Sequence, residues 1–259
     1  MKVAALFDIH GNLPALEAVM KDVRAAKADA IVVGGDVVPG PMPRESLRLL
    51  LDLEIPVHFI RGNCERATVA MIDATPGAAP SYWGTTSGRP LGEVDQANFR
   101  WTAEQLKADF RDEMARWPRT LQLKIEGVGE VLFCHSTPRS EEEIFTRLTP
   151  EERLLPLFEP FNVDLAVCGH THMQFDRRVG RTRVLNAGSV GAPLGRAGAD
   201  WLLLGPGVEL RHTSYDLERA AARIRATDFP GAEAYAAETV LAPPNAEEML
   251  QLYTRAQLS

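Results

Sequence analysis

Five times in this chain an apolar run ends on a short motif built from Asp, His, Asn and Gly. The runs VAALF, AIVV, VHFI, EVLFC and LAVC lead to Asp8-Ile-His10, Gly35-Asp36, Gly62-Asn63, His135 and Gly169-His-Thr-His172. Apolar runs of four or five residues bounded by glycine and turn residues read as buried strands. Polar residues just past the carboxyl ends of strands are where open α/β sheets assemble their sites. This repetition restricts the chain to a sheet-based fold whose strand ends converge.

The intervening segments support that expectation. Asn12 is placed as the N-cap of a helix with Pro14 in its first turn, and Leu16, Val19, Met20 and Val23 form its apolar stripe. A second helix is expected from Ser46 to Leu53, so the first sixty residues read β-α-β-α-β. Residues 66–118 break the pattern with Pro76, Gly77, Pro80, Gly84 and Gly88, followed by a helical part bearing Phe99, Trp101, Phe110 and Trp117. They read as a mostly helical insertion or cap, its aromatic residues serving helix packing. Strands resume at Leu121–Ile125 and Glu130–Cys134, a hairpin across Gly127 to Gly129. Residues 138–160 read as helix or loop. Further strands are expected at Leu165–Cys168, Arg183–Asn186, Trp201–Leu204 and Val208–Arg211, and two helices over about 215–258. The whole chain, 1–259, is expected to be one domain, with no internal repeat.

Charge and cysteine content narrow the function. A net charge of −7 leaves no global basic field for gripping long nucleic acid. Three cysteines, an odd number without a CxxC pair, do not make a disulfide framework, and a cytoplasmic setting is expected. The apolar run Val3 to Phe7 ends at Asp8, too short for a signal segment or a membrane span. Cys134 and Cys168 read as core residues, His58 as a packed histidine and His212 as a surface residue. The Glu141-Glu-Glu143 run reads as a solvated face, and Arg61 as structural or paired with a carboxylate.

The five motifs together hold two carboxylates, one amide and four imidazoles, a donor set suited to Mn, Fe, Zn, Co or Ni. Seven ligands exceed the needs of one tetrahedral ion and suit two ions sharing a carboxylate. Asp-x-His and His-x-His place ligands on one side of an extended segment.

D-x-H, G-D, G-N, a lone H and G-H-x-H, in this order, resemble the calcineurin-like metallophosphoesterase family, and GNCE resembles its smaller bacterial and archaeal phosphodiesterase branch. The match runs from residue 3 to about 190. The resemblance implies an α/β fold, a two-sheet β-sandwich flanked by helices, with metals at the loop edge. It implies Asp8, His10 and His172 on one metal, Asn63, His135 and His170 on a second, and Asp36 bridging them and holding a bridging hydroxide. Asn12, Asn63 and His135 are candidate substrate contacts, and the loop Asn186 to Ser189 resembles one near the family site, although turn chemistry explains it equally. The implied cofactor is two divalent ions per chain, Mn first for activity. The implied substrate is a small phosphate ester, a phosphodiester or nucleotide. A nuclease on short nucleic acid and a non-catalytic metal-bound scaffold are the alternatives.

One position departs from the pattern. Many relatives carry a histidine after the motif asparagine, thought to protonate the leaving group, and this chain has Cys64. A thiol with an ordinary pKa of about 8.5 is poorly matched to that task. The general acid is therefore open, and substrates with good leaving groups are favoured.

Overall fold

In chain order the strands are β1 (Val3–Leu6), β2 (Ala30–Val33), β3 (Val57–Phe59), β4 (Thr120–Ile125), β5 (Gly129–Cys134), β6 (Leu165–Cys168), β7 (Phe175–Val179), β8 (Thr182–Asn186), β9 (Ala199–Leu204) and β10 (Val208–Thr213). The helices are α1 (Leu13–Ala25), α2 (Pro43–Leu51), α3 (Asn63–Asp73), α4 (Glu93–Leu106), α5 (Arg111–Arg116), α6 (Glu151–Phe158), α7 (Leu217–Arg225), α8 (Ala232–Ala234) and α9 (Ala246–Arg255). This computed structural model describes residues 1–74, 91–106 and 109–256. Pro76, Gly77, Pro80, Gly84 and Gly88 of the expected insertion lie outside the described residues.

The strands form two five-stranded sheets, ordered β10-β9-β1-β2-β3 and β4-β5-β6-β8-β7. In the first, β1, β2 and β3 run parallel while β9 is antiparallel to β1. In the second, β5, β6 and β8 run parallel and are edged by antiparallel β4 and β7.

The sheets pack face to face. Val3, Ala5 and Phe7 point inward with Val131, Phe133, Leu165, Val167 and Leu185 of the facing sheet. Ala4 and Leu6, on the other face of β1, meet Leu16, Val19, Met20 and Val23 of α1. Both faces of β1 are therefore covered, which is why its sequence is continuously apolar rather than alternating. On the outer face of the second sheet, Cys134 and Cys168 pack with Leu154, Leu157 and Phe158 of α6, and both thiols are free core groups.

Asn12 caps α1 as expected, its Oδ1 accepting from Ala15 N at 3.2 Å. The second helix starts earlier than expected, at Pro43, because proline is suited to the first helical position. The aromatic residues of the inserted helices pack: Trp117 stacks on Phe59 at 4.6 Å, and Trp101 meets Phe229 edge-on at 5.4 Å.

Two expectations need correction. Strand β7 was not expected, because Asp176, Arg177 and Arg178 hide its pattern. It is an edge strand, where charge is common, and only Phe175 and Val179 anchor it to the core. The tail holds more than two helices. Pro230-Gly231 and Pro243-Pro244 divide it into α7, a short α8 running into a π-helical turn at Tyr235–Leu241, and α9. No helix among the described residues is long and apolar enough to cross a membrane.

Candidate metal centre

The carboxyl ends of β1, β2 and β3 in one sheet, and of β5 and β6 in the other, open at one edge of the sandwich. The loops leaving them are conformationally demanding. Asp8, His10, Asp36, His170 and His172 have φ of 54°, 47°, 52°, 67° and 57°. L-residues pay about 1 kcal/mol or more each to stand there, so surrounding bonds must hold them. Asp8 N donates to Gly35 O at 3.1 Å, His10 N to Asp36 O at 2.9 Å and His170 N to Asp8 Oδ2 at 2.8 Å. The motif glycines have a steric reason. A Cβ on Gly62 would lie 2.0 Å from Asp36 Oδ1, and one on Gly169 would lie 2.4 Å from Asp8 Oδ2.

All seven expected ligands meet at this edge. Asp8, His10 and His172 place one ligand atom each within 4.8 Å of one another, and Asp36, His135 and His170 do the same. Asn63 Oδ1 joins the second group, 3.1 Å from His135 Nε2. Asp36 Oδ2 lies between the groups, 3.4 Å from His135 Nε2 and 3.9 Å from His10 Nε2.

Three imidazoles have their tautomers set by backbone carbonyls, which can only accept. His135 Nδ1 donates to Gly34 O at 2.9 Å, His172 Nδ1 to Ala192 O at 2.9 Å and His170 Nε2 to Glu142 O at 3.1 Å. The remaining nitrogen of each therefore faces inward, the usual second-layer arrangement of a metal-binding histidine. Those nitrogens crowd: His10 Nε2 and His172 Nε2 are 3.1 Å apart, and His170 Nδ1 and His135 Nε2 are 3.2 Å apart. Asp8 Oδ1 is buried and accepts no hydrogen bond, with His172, His135 and His10 Nε2 at 3.3, 3.8 and 3.9 Å. A buried carboxylate oxygen left without a partner among converging ring nitrogens is costly without a cation between them, so these residues fit a metal.

The electrostatics agree. Burial and the neighbouring imidazoles push His10 and His170 down to about 4, which keeps them neutral. Burial works to raise Asp36, but His135 and His10 overcome it and hold the carboxyl below its usual range. Burial opposes protonation of His135, yet the Asp36 and Asp8 charges and the Gly34 carbonyl raise it to about 10. Burial and the Asp36 charge push the Cys64 thiol well up, so it stays protonated although its Sγ groups with His10 and Asp36.

Several supporting residues were not singled out from the sequence. Glu65 is fully buried and accepts from Gly62 N, Asp36 N and Val37 N at 2.7, 2.8 and 2.7 Å. Burial and the Asp36 charge push it up to about 7. Its legible signal was the three-residue spacing from Gly62, that of a capping box. Tyr235 Oη lies 3.1 Å from His10 O and 3.2 Å from Gly191 O, a role no local pattern announces. The loop after β8 does brace the site: Asn186 Nδ2 donates to Gly169 O at 2.6 Å and Ser189 Oγ to Asp8 O at 2.7 Å.

Asn12, a candidate substrate contact, is fully buried, and its Nδ2 donates to Gly191 O at 2.8 Å while its Oδ1 caps α1. Two other readings are corrected. Glu141 is not on a solvated face: its side chain is 1% exposed and pairs with Arg61 at 2.8 Å. His212 is half-buried, its Nδ1 2.7 Å from Asp200 Oδ1.

A family profile described as a calcineurin-like phosphoesterase superfamily domain matches residues 1–204. An uncharacterized protein of Methanocaldococcus jannaschii is 27% identical over 175 residues, covering 67% of this chain and 63% of that protein. The match thus spans less than two thirds of that relative's length. A crystal structure of a hypothetical protein from Pyrococcus horikoshii has a TM-score of 0.75 at 21% identity, covering 94% of this chain and 99% of the other. A metallophosphoesterase from Sphaerobacter thermophilus has a TM-score of 0.69 at 25% identity, with 92% and 98% covered.

Proposed function

We propose that this chain, which belongs to the calcineurin-like phosphoesterase superfamily, is a metal-dependent hydrolase of a small phosphate ester such as a phosphodiester or nucleotide. The carrying observation is the orphaned Asp8 Oδ1 among three inward imidazole nitrogens. Asp8, His10 and His172 would hold one divalent cation, Asn63, His135 and His170 a second, and Asp36 would be shared. The donor set suits Mn, with Fe, Zn, Co and Ni as alternatives. Divalent cations there would bring a coordinated water toward ionisation near neutral pH and offset the charge on phosphoryl oxygens.

The protein's own contribution is preorganisation. The carbonyls of Gly34, Glu142 and Ala192 hold three imidazoles in ligand tautomers. Glu65 holds the backbone N–H of Asp36, and the Cys64 N–H, 2.9 Å from Asp36 Oδ1, holds its carboxylate. Because Cys64 keeps its proton tightly, the site favours esters whose leaving groups need no strong acid.

The test strips the protein, reloads it with Mn, counts bound metal, and measures turnover on activated mono- and diesters, then on cyclic nucleotides and nucleoside di- and triphosphates. Two metals per chain with metal-dependent turnover are expected. Metal bound without turnover on any ester would overturn the hydrolase in favour of a binding scaffold.

A further inference from the structure

The segment Arg139 to Glu143 leans on the second ligand group, since the Glu142 carbonyl accepts from His170 Nε2. Arg61, Arg66, Arg119 and Arg139 gather there against Glu141, Glu142 and Glu143. Four guanidinium groups thus meet three carboxylates, a local positive excess in a chain of net charge −7.

These ion pairs are of two kinds. Glu141, 1% exposed, is shared by Arg61 at 2.8 Å and Arg119 at 3.4 Å. A carboxylate that deep cannot be left bare, so these two guanidiniums are locked. Arg66 reaches Glu141 only at 3.8 Å and pairs instead with Glu142. The side chains of Arg66 and Glu142 are 34% and 29% exposed, and pairs open to water are weak and exchangeable. Arg66 also stands one helical turn after Asn63 on α3, on the face that carries this ligand.

We propose that Arg66 is a substrate-recognition residue that binds a second phosphate beside the scissile phosphoryl group, as in a nucleoside diphosphate. The inference rests on the metal-dependent phosphoesterase reading above. Glu142 holds the guanidinium until substrate arrives and turns to water when the phosphate replaces it. Arg61 and Arg119, locked on Glu141, keep the potential positive throughout. A planar guanidinium matches a phosphate bidentately.

The test is calorimetric titration of the Mn-loaded protein with α,β-methylene ADP and with AMP, for wild type, Arg66→Gln and Arg66→Lys. Wild type should prefer the diphosphate analogue. Arg66→Gln should weaken it about tenfold, the size expected for a lost charge-assisted bond, and weaken AMP much less. Arg66→Lys should recover part of the difference. An equal loss for both ligands, or a wild type with no preference for the diphosphate, would overturn the proposal. Metal content and turnover of p-nitrophenyl phosphate, measured on the same preparations, report separately on the underlying hydrolase reading.

Discussion

The two groups of candidate ligands meet at Asp36 and differ in almost everything around it. His10 and His172 have side chains 15% and 18% exposed, whereas that of His135 is 0% exposed and His170 is buried. The open group is braced by Ala192 within the family domain and, from outside it, by Tyr235 in the tail. The closed group is braced from within it, by Gly34 and by Glu142, whose segment is tied down through Glu141 on Arg61 and Arg119. The two halves of this one centre thus differ in how readily water reaches them. The contrast implies that metal leaves Asp8, His10 and His172 first and stays longest on Asn63, His135 and His170.

The most damaging change should be the one that removes what the groups share. Asp36→Ala is expected to lower metal content at both and cut turnover by about a thousandfold or more. Full activity in that variant would remove the two-metal reading. Acidification comes next. His135 stands near 10 in the metal-free protein, so metal must displace its proton. Affinity of the closed group should therefore fall about tenfold per pH unit below 10 for that one proton, with proton release visible by calorimetry in buffers of different ionisation enthalpy. Release of no proton near pH 8 would contradict the raised His135. Stepwise chelation adds an ordering check: the open group should empty first, and simultaneous loss would break the comparison.

Glu65→Ala should leave the N–H groups of Gly62, Asp36 and Val37 unpaired, costing about 3 kcal/mol in denaturant unfolding. A loss below about 1 kcal/mol would mean water replaces the carboxylate. Tyr235→Phe should weaken the open group's metal about tenfold and leave the closed group's affinity in place, since second-layer changes act locally. Equal weakening of both would make Tyr235 a general packing residue. The smallest expected effect is Cys64→His, a severalfold rise in turnover on esters with poor leaving groups and less on activated ones. An equal change on both would count against an acid-deficient site.

Much of this was legible in the chain. Apolar runs covered on both faces announce buried strands, and ligands written two residues apart after such runs announce a site at their ends. Gly62 and Gly169 were legible for the same reason, each preceding a candidate ligand, although only the structure shows the carboxylates of Asp36 and Asp8 pressed against them. Strand β7 was not legible, because an edge strand is held by its neighbour's backbone more than by its own side chains.

The sequence by itself determined the sheet-forming runs, the seven clustered donors and the family, because those signals are local: a periodicity, a spacing, a residue type. The tertiary structure alone decided which nitrogen of each histidine faces inward, that Glu141 is buried, that Asn12 is spent on the backbone, and that Tyr235 reaches His10 from 225 positions away. Those outcomes depend on which distant carbonyl or guanidinium arrives beside each group, and no local pattern encodes an arrival across the fold.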